Sequence, residues 1–463
     1  MKASDLHFTH ESWSSRIAFL FAAVGSAVGL GNLWRFPYVA GENGGGAFVL
    51  VYIVCVLILG LPLIIAELMI GRRGQQSAIR SIRVICHDEG LSPQWTILGW
   101  MMIITPLAGL TYYSVVAGWG LAYIFETAAG NFVDVGGEES AGLFGALTSS
   151  PVRMAFWHGV FMATTIFFVA RGVNRGLEKA AYIMMPGLFI ILVVLVIYAG
   201  VAADFRAGFD FLFNVDFSKI TLSTVLIALG QAFFSLAVAV GVMMTYGAYL
   251  PKDVSIPRAA GVIVGADTLV ALLAGLAIFP VVFASGLLPD EGPGLIFVTM
   301  PVAFGQMPAG VIFGTLFFIL LAFAAITTGI GMLEPAISWL EERQGLKRAP
   351  VTVAIGIGLW AVGLSSVFSF NIWSDVFPLG FVPQFADKTV FGLLDLIVAT
   401  FFIPVGGLLI ALFAGWAMSR RSTDEELALG DGPAYRLWRM LVRYVAPIAL
   451  VGILVSSMLS SLE

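Results

Sequence analysis

The chain has 463 residues and a net charge of −5; 59% of its residues are hydrophobic and only 11% are charged. Soluble domains carry about 25% charged residues, so this composition excludes a water-soluble globular protein. The mean hydropathy of +0.95 and the repeated apolar stretches of bilayer-crossing length indicate an integral membrane protein. We therefore expect a lipid bilayer around it and no nucleic-acid partner.

Apolar segments along the chain predict eleven transmembrane helices in one all-α transmembrane domain, residues 1–463. Their approximate bounds are 13–38, 47–70, 96–125, 153–170, 178–201, 219–250, 257–285, 309–340, 350–368, 390–418 and 436–460. The first segment is longer than the apolar region of a signal peptide and lacks a small-residue cleavage site, so we expect no cleavable signal. Cys55 and Cys86 lie in the second span and the loop after it, and we expect free thiols.

Basic residues are distributed unequally between the two sets of loops. If the N-terminus is cytoplasmic, 19 of the 24 Lys and Arg residues fall on the cytoplasmic side. The five on the other side are Arg35, Arg153, Arg206, Lys219 and Lys388. The positive-inside rule therefore predicts a multi-pass protein of the bacterial inner (cytoplasmic) membrane with a cytoplasmic N-terminus. An odd number of spans places the C-terminus on the periplasmic side.

An odd number of spans also allows an inverted repeat. Two five-helix units of opposite orientation, about 13–201 and 219–418, would leave 436–460 as an additional helix. The first span of each unit is interrupted, because residues 25–32 and 235–241 combine small and polar residues in an otherwise apolar helix. Paired interruptions of this kind indicate a binding site between the repeats. We therefore expect helices 1 and 6 to be unwound at mid-membrane.

An unwound segment inside a membrane exposes backbone groups that need partners. Gly25, Gly29 and Gly31 permit the unwinding, and the freed carbonyls suit a hard cation such as Na⁺. The start of the following half-helix carries a partial positive charge, which suits a carboxylate. A glycine-rich helix-packing face is the alternative that the spacing alone leaves open.

Ionisable residues inside the spans favour a functional interpretation. Arg35 follows the first interruption, and an arginine within a span needs a partner. Candidate carboxylates are Glu67, Asp267, Glu334 and Asp395, although each could equally have a structural role. The four histidines show no spacing typical of a metal site or a catalytic triad, so we expect that the protein is not an enzyme.

Five motifs, in chain order, resemble the neurotransmitter:sodium symporter family. They are Gly25-Ser-Ala-Val-Gly-Leu-Gly-Asn-Leu-Trp-Arg-Phe-Pro-Tyr38, Glu42-Asn-Gly-Gly-Gly-Ala-Phe48, Gly60-Leu-Pro-Leu with Glu67, Gly230-Gln-Ala-Phe-Phe-Ser235 and Ala324-Ala-Ile-Thr-Thr328. The layout is similar to that of the short bacterial members with eleven helices. This resemblance implies a leucine-transporter-like fold and sodium-coupled secondary symport by alternating access.

The resemblance implies two sodium sites. The first would consist of the substrate carboxylate, the Ala27 carbonyl and the side chains of Asn32, Ser235 and Asp267. The second would consist of the carbonyls of Gly25, Val28 and Ala324 and the hydroxyls of Thr327 and Thr328. Both sets contain only oxygen ligands, which hard cations prefer. The two threonines could instead hydrogen-bond to their own helix, the commoner role of threonine within a span.

Asp267 departs from many animal members of the family that this chain resembles. Those relatives have an asparagine at this position and bind chloride nearby, and Ala271 stands where they have a serine of the chloride site. A carboxylate can supply the negative charge that two Na⁺ ions need at low dielectric. We therefore expect transport that does not require chloride, with protonation of Asp267 balancing the charge on the return step.

The resemblance also implies an amino-acid substrate. Gly29 occupies the position where monoamine-transporting relatives have an aspartate, so the substrate has to bring its own carboxylate, directed at Leu30, Gly31 and Tyr113. The other predicted substrate contacts are Ala27, Phe234, Ser235, Ala237, Ala239, Val240, Ile326, Thr327 and Met332. Because the side-chain pocket among them is apolar, we expect a neutral, hydrophobic amino acid. Ala239, in place of a glycine seen in several relatives, would reduce the room near the pocket.

The resemblance also implies two gates, one on each side of the membrane. Arg35 and Asp395 resemble the extracellular gate pair, which closes over Phe234. On the cytoplasmic side, His10 and Glu342 stand where relatives pair an arginine with an acid, although His10 could equally be a solvated tail residue. A sodium-coupled transporter of another small carboxylate-bearing solute and an ion-conducting channel are the alternative functions. The sequence gives no indication of the oligomeric state.

Overall fold

The computed structural model describes residues 12–289, 294–382 and 385–459, and these ranges contain helices but no strand. Nine helices within them are long and apolar enough to cross a membrane. Helices satisfy their own backbone hydrogen bonds, which is why apolar runs of this length adopt them in lipid. The predicted all-α membrane fold is confirmed. Cys55 and Cys86 are free thiols, as expected, and both are buried.

The long helices follow the predicted spans closely. The first span consists of two pieces, α1a (Arg16–Ala27) and α1b (Gly31–Glu42), which are bent by 48° relative to each other. The others are α2 (Gly46–Gly74), α3 (Pro93–Ala128), α4 (Pro151–Val169), α5 (Val173–Ala202), α7 (Ile256–Ala284), α8 (Gly310–Arg343), α9 (Arg348–Phe368), α10 (Val390–Ala417) and α11 (Pro433–Ser456).

The sixth predicted span is divided into two short helices, α6a (Leu222–Ser235) and α6b (Val242–Ala248). They have 14 and 7 residues, and each is shorter than the roughly 20 residues that cross a bilayer. If the two pieces of the bent first span are counted as one, the described ranges contain ten crossing segments instead of nine. An eleventh requires α6a and α6b to form one broken span, so the count of eleven stays a prediction, as do the bounds of the two repeats.

Both predicted interruptions are confirmed. Helix α1a ends at Ala27 because Val28 is extended, with φ −69° and ψ 100°. Between α6a and α6b, Ala237, Ala239 and Gly241 have φ of 49°, 63° and 76°. This left-handed region costs a residue with a Cβ about 1–2 kcal/mol, so the backbone at the second break is held there by its surroundings.

Five shorter helices were not predicted, because each is much shorter than the roughly 20 apolar residues that cross a bilayer. They are Ala78–Asp88, Gly137–Thr148, Phe205–Phe213, Leu295–Gln306 and Arg420–Leu427. The broken helices lie in the interior of the bundle. Helix α1a packs against α5, α7 and α8, whereas α1b contacts α6a and α7, and α6b packs against α2 and α8. The two breaks therefore come together beside α7 and α8.

Candidate functional site

Asn32, Ser235 and Asp267 form a buried cluster where the two breaks meet α7. The Asn32 Nδ2 donates to Ser235 Oγ at 2.9 Å, to Asp267 Oδ1 at 2.9 Å and to the Asp267 carbonyl at 3.0 Å. Ser235 Oγ donates to Asp267 Oδ2 at 2.7 Å. A hydroxyl has one hydrogen, so the Tyr52 hydroxyl, 3.0 Å away, is the donor to Ser235.

This first cluster fits a hard cation, because its acceptors are oxygens and one of them is a carboxylate. The Asn32 amide nitrogen lies among three of these oxygens, while Asn32 Oδ1 accepts from the Gly29 N–H at 3.2 Å. A half-turn of the amide would direct Oδ1 at the same oxygens and give an all-oxygen donor set. Ala27, the remaining predicted ligand, lines the adjoining cavity.

A second cluster joins α8 to the break in the first span. Thr328 Oγ1 points across the interface, where it lies 3.3 Å from the Ser26 carbonyl and 3.4 Å from the Val28 carbonyl. Thr327 Oγ1 instead donates within its own helix, to the carbonyls of Phe323 at 2.9 Å and Ala324 at 3.1 Å. The structure thus brings Thr328 to α1a, whereas Thr327 adopts the alternative role considered for it.

Gly25 also faces this second cluster. A Cβ added there would lie 3.3 Å from Thr327 Cβ and 2.9 Å from the sulfur of Met185. A larger residue at Gly25 would therefore require Met185 and Thr327 to shift, so glycine favours the close approach of α1a to α5 and α8. The predicted carbonyl ligands Gly25, Val28 and Ala324 are all in the interior of the protein.

A cavity of about 50 Å³ adjoins both clusters. Nine predicted substrate contacts line it, namely Ala27, Gly29, Leu30, Gly31, Tyr113, Phe234, Ala237, Val240 and Met332. The Tyr113 hydroxyl is buried beside Thr328 and the Leu30 backbone, but it makes no hydrogen bond of normal geometry within the described residues. It is available to an acceptor in the cavity.

Four predicted substrate contacts do not line the cavity: Ser235, Ala239, Ile326 and Thr327. Ser235 belongs to the first cluster, and Thr327 bonds within α8. The Ala239 N–H donates to Glu67 Oε1 at 2.6 Å. The Ala239 Cβ points at Gly406 of α10 and would lie 3.0 Å from a Cβ added to that glycine. In this structure Ala239 therefore packs on α10 and does not reduce the room in the cavity.

Seven lining residues were missed at the sequence level: Ser26, Thr105, Gly109, Tyr112, Val242, Val398 and Ile403. Thr105 and Gly109 precede Tyr113 by eight and four residues, which places all three on one face of α3. That spacing could have identified them. The buried Thr105 Oγ1 has no hydrogen-bond partner in the part of the chain that the structure describes, so it is a polar group in an otherwise apolar wall.

The residues predicted to form the extracellular gate lie next to this cavity. The Arg35 guanidinium lies 4.3 Å from the centre of the Phe234 ring. Asp395 interacts electrostatically with Arg35 and contacts the Tyr112 hydroxyl, although Arg35 and Asp395 do not form a direct ion pair in the described structure. The predicted residues thus meet at one place, with Phe234 between them and the site.

Of the predicted cytoplasmic gate, the structure describes only Glu342, because His10 lies outside the described residues. Glu342 is buried and accepts from the Ser77 N–H at 2.6 Å and from the Ser77 hydroxyl. Two residues that were not predicted, Trp13 and Ser14, attach the first described residues to the bundle. Trp13 Nε1 donates to the Tyr246 carbonyl at 3.1 Å, and Ser14 donates through both N–H and Oγ to Glu178 at 2.6 Å.

Comparison with known proteins gives a consistent result. The model of the sodium:neurotransmitter symporter family matches residues 10–133 and 146–462. An uncharacterized sodium-dependent transporter of Bacillus subtilis is 38% identical over 442 residues, 95% of this chain and 96% of the relative. The sodium-dependent serotonin transporter of Drosophila melanogaster is 25% identical over 504 residues, 98% of this chain and 77% of that protein.

A solved structure extends the comparison to the fold. The crystal structure of MhsT in complex with L-phenylalanine matches this protein with a TM-score of 0.87. The two sequences are 38% identical, and the match covers 97% of this chain and 100% of the MhsT chain. The agreement over nearly the whole length, together with the two broken helices, identifies a sodium-dependent transporter and not an enzyme. The chain belongs to the sodium:neurotransmitter symporter family.

Proposed function

We propose that the protein is a symporter that couples sodium entry to the import of neutral, hydrophobic amino acids by alternating access. The observation that carries the proposal is the apolar cavity that adjoins the Asn32–Ser235–Asp267 cluster. Gly29 lines this cavity, at the position where a transporter of amines without a carboxylate would need an acidic side chain. A substrate carboxylate would therefore complete the cluster from the cavity side.

The substrate backbone would bind between the two breaks. Its carboxylate would accept from the Tyr113 hydroxyl, which makes no hydrogen bond of normal geometry within the described residues, and from the amides of Leu30 and Gly31, at the positive end of α1b. Its ammonium group would meet the carbonyls of Phe234 and Ser235, next to the second break. These contacts satisfy both charges of an amino acid and none of them depends on its side chain.

The substrate side chain would lie against Phe234, Val240 and Met332. A cavity of about 50 Å³ is too small for an aromatic side chain, so binding one requires a wall to move. Met332 is suited to this, because methionine is flexible and adapts to irregular spaces. The Met332 Cε would lie 2.8 Å from a Cβ added to Gly109, so the end of this side chain occupies the space beside the glycine. The binding of L-phenylalanine by the similar MhsT supports an aromatic substrate.

Two sodium ions would bind beside this substrate, one at each cluster. Asp267 would provide the negative charge of the first site, so we propose that chloride is not required and that Asp267 takes up a proton on the return step. Arg35, Phe234 and Asp395 would close the outer side. The distribution of basic residues supports a bacterial inner-membrane protein with a cytoplasmic N-terminus and a periplasmic C-terminus.

Uptake into proteoliposomes tests the proposal. Purified protein is expected to accumulate labelled L-phenylalanine or L-leucine against its gradient when Na⁺ is outside, and not when K⁺ replaces Na⁺. Replacing external chloride with gluconate should leave the rate unchanged. Currents without uphill accumulation would support the channel, and accumulation of only other carboxylates would support the alternative substrate class. A chloride requirement would contradict the role given to Asp267.

A further inference from the structure

A basic cleft of about 410 Å³ lies beside α11, away from the transport site. Four arginines line it, Arg420, Arg436, Arg439 and Arg443. All four belong to the cytoplasmic set of basic residues identified in the sequence. The proposed transport function uses none of them.

The arginines outnumber the carboxylates that neutralise them. Asp431 pairs with both Arg420 and Arg436, the latter at 3.4 Å. Arg439 donates to hydroxyls, those of Thr423 and Tyr435, at 3.0 Å each. Arg443 forms no ion pair in the described ranges, and its buried Nε has no partner there. Among the described residues, Asp431 is the only carboxylate that forms ion pairs with these four arginines, so the cleft carries a net positive charge.

Arg443 is held in position by aromatic rings. Its guanidinium carbon lies 4.0 Å from the Trp416 ring and 5.6 Å from the Tyr444 ring, and Trp416 Nε1 donates to the Arg443 carbonyl at 2.8 Å. Both residues lie on π-helical turns, Phe413–Ala417 and Leu441–Val445, which contact each other. The two rings and the contact between these turns limit the positions open to the Arg443 guanidinium at the edge of the cleft.

The cleft continues into a lipid-facing surface. Tyr444, Ile448 and Val451 follow at helical spacing along α11, and all are exposed, with Ile448 74% accessible. Only 22% of the most apolar part of α11 is buried inside the protein. In a membrane this face contacts acyl chains, and exposed Trp416 and Tyr444 are residues typical of the boundary between lipid and water.

We propose that this cleft binds the phosphate of an anionic phospholipid such as phosphatidylglycerol, whose acyl chains lie along the exposed face of α11. A guanidinium group can bind two phosphate oxygens at once. Arg443 Nε, which has no hydrogen-bond partner among the described residues, provides one such donor. A zwitterionic lipid would bring its own cation among the arginines, so an anionic lipid is favoured. The site is distinct from the substrate and sodium sites.

Fluorescence quenching by brominated lipids tests this directly. The full-length protein is reconstituted with phosphatidylglycerol or phosphatidylcholine, each brominated near the carboxyl end of its chains. The Trp416 signal is obtained as the difference between wild type and Trp416→Phe, normalised to unbrominated lipid. We expect phosphatidylglycerol to quench Trp416 at a lower mole fraction than phosphatidylcholine. Equal quenching by the two lipids would overturn the proposal.

Matched arginine variants show whether the cleft is responsible. A basic residue near an anionic surface contributes about fivefold to lipid affinity, so Arg436→Gln and Arg443→Gln should each reduce the preference for phosphatidylglycerol by roughly that factor. Arg436 is exposed, so its variant tests the cleft without disturbing the packing. Arg421→Gln is the control, because Arg421 is 89% accessible and pairs with Glu425 at 2.8 Å outside the cleft.

Two further outcomes would overturn the proposal. If Arg421→Gln reduces the preference as much as Arg436→Gln, the effect is one of general surface charge. If millimolar inorganic phosphate or glycerol phosphate removes the quenching by phosphatidylglycerol, the cleft binds small anions and the acyl chains contribute nothing. Quenching is measured without Na⁺ or substrate, so these results do not depend on the proposed transport function.

Discussion

Replacing Gly29 with alanine tests how closely the first break has to approach α8. A Cβ at this position would lie 2.6 Å from Thr328 Oγ1 and 3.3 Å from the Tyr113 hydroxyl. Contacts of a Cβ below 3.0 Å essentially do not occur, so Thr328 has to move. Its hydroxyl would then leave the carbonyls of Ser26 and Val28, which it approaches at 3.3 and 3.4 Å.

The cost of this displacement can be worked from the contact. Overpacking of a well-packed interior costs about 1–3 kcal/mol. Ion-free protein relieves the clash by moving Thr328, whereas an ion at the second cluster needs the hydroxyl in place, so the cost falls on the sodium-bound state. At 1.4 kcal/mol for each factor of ten, Gly29→Ala should raise the sodium concentration for half-maximal substrate binding by roughly 5- to 150-fold.

Scintillation-proximity binding of labelled substrate over a sodium titration measures this shift. Gly230→Ala is the matched control, because a Cβ there has nothing within 4 Å and alanine favours the helix by about 1 kcal/mol. In sodium-free buffer, where moving Thr328 relieves the clash, Gly29→Ala should unfold at nearly the same apparent temperature as the wild type. An unchanged sodium midpoint, or a clear loss of stability in sodium-free buffer, would refute the reasoning.

Three other substitutions test separate parts of the site. Asp267→Asn removes a negative charge whose attraction for a cation 4 Å away is about 4 kcal/mol at an effective dielectric of 20. Sodium-driven uptake in chloride-free buffer should therefore be lost, and uptake at the wild-type rate would disprove charge compensation by Asp267. Thr105→Val replaces a buried hydroxyl that has no partner among the described residues; the apparent unfolding temperature should stay or rise and leucine should bind more tightly, whereas clear destabilisation would reveal a partner. Ala239→Gly relieves a φ of 63° that costs about 1 kcal/mol, so it should stabilise the protein and also change substrate affinity. Ala428→Gly, at φ 52° outside the site, should only stabilise; identical effects of the two on substrate affinity would count against a role for the second break.

The two breaks differ in how well the sequence predicts them. The first follows from Gly25, Gly29 and Gly31, which permit non-helical backbone. In the second, Ala237 and Ala239 adopt left-handed conformations that alanine disfavours by itself. The Ala239 N–H is held by the carboxylate of Glu67, a contact between residues 172 positions apart. Local preference cannot predict such a conformation, because a tertiary contact supplies the energy that the backbone lacks.

The cavity shows a related difference. Tyr113 fixes which face of α3 points inward, so Thr105 and Gly109 follow from helical spacing alone. Val398 and Ile403 also line the cavity, but they lie on a helix that includes the π-turn Ile397–Phe402, which shifts the register of its faces. The predicted gate has a similar limit, because Arg35 turns its guanidinium to the Phe234 ring. Side-chain direction depends on the packed neighbours, and the sequence names only the candidates.

The first break physically connects the two proposed ion sites. In a regular helix the Val28 carbonyl would accept from the Asn32 N–H, but this N–H donates to the Gly29 carbonyl at 3.1 Å. The Val28 carbonyl is thereby left for Thr328 at the second cluster, while the Asn32 side chain reaches the first. Residues 28–32 thus form one short segment with an ion site at each end. An ion that fixes one end of this segment restricts the positions open to the other end. An ion that orders the segment lowers the ordering cost for the second ion, and the coupling is reciprocal. Where this gain exceeds the repulsion between the two cations, which the Asp267 and substrate carboxylates reduce, each sodium ion would raise the affinity for the other.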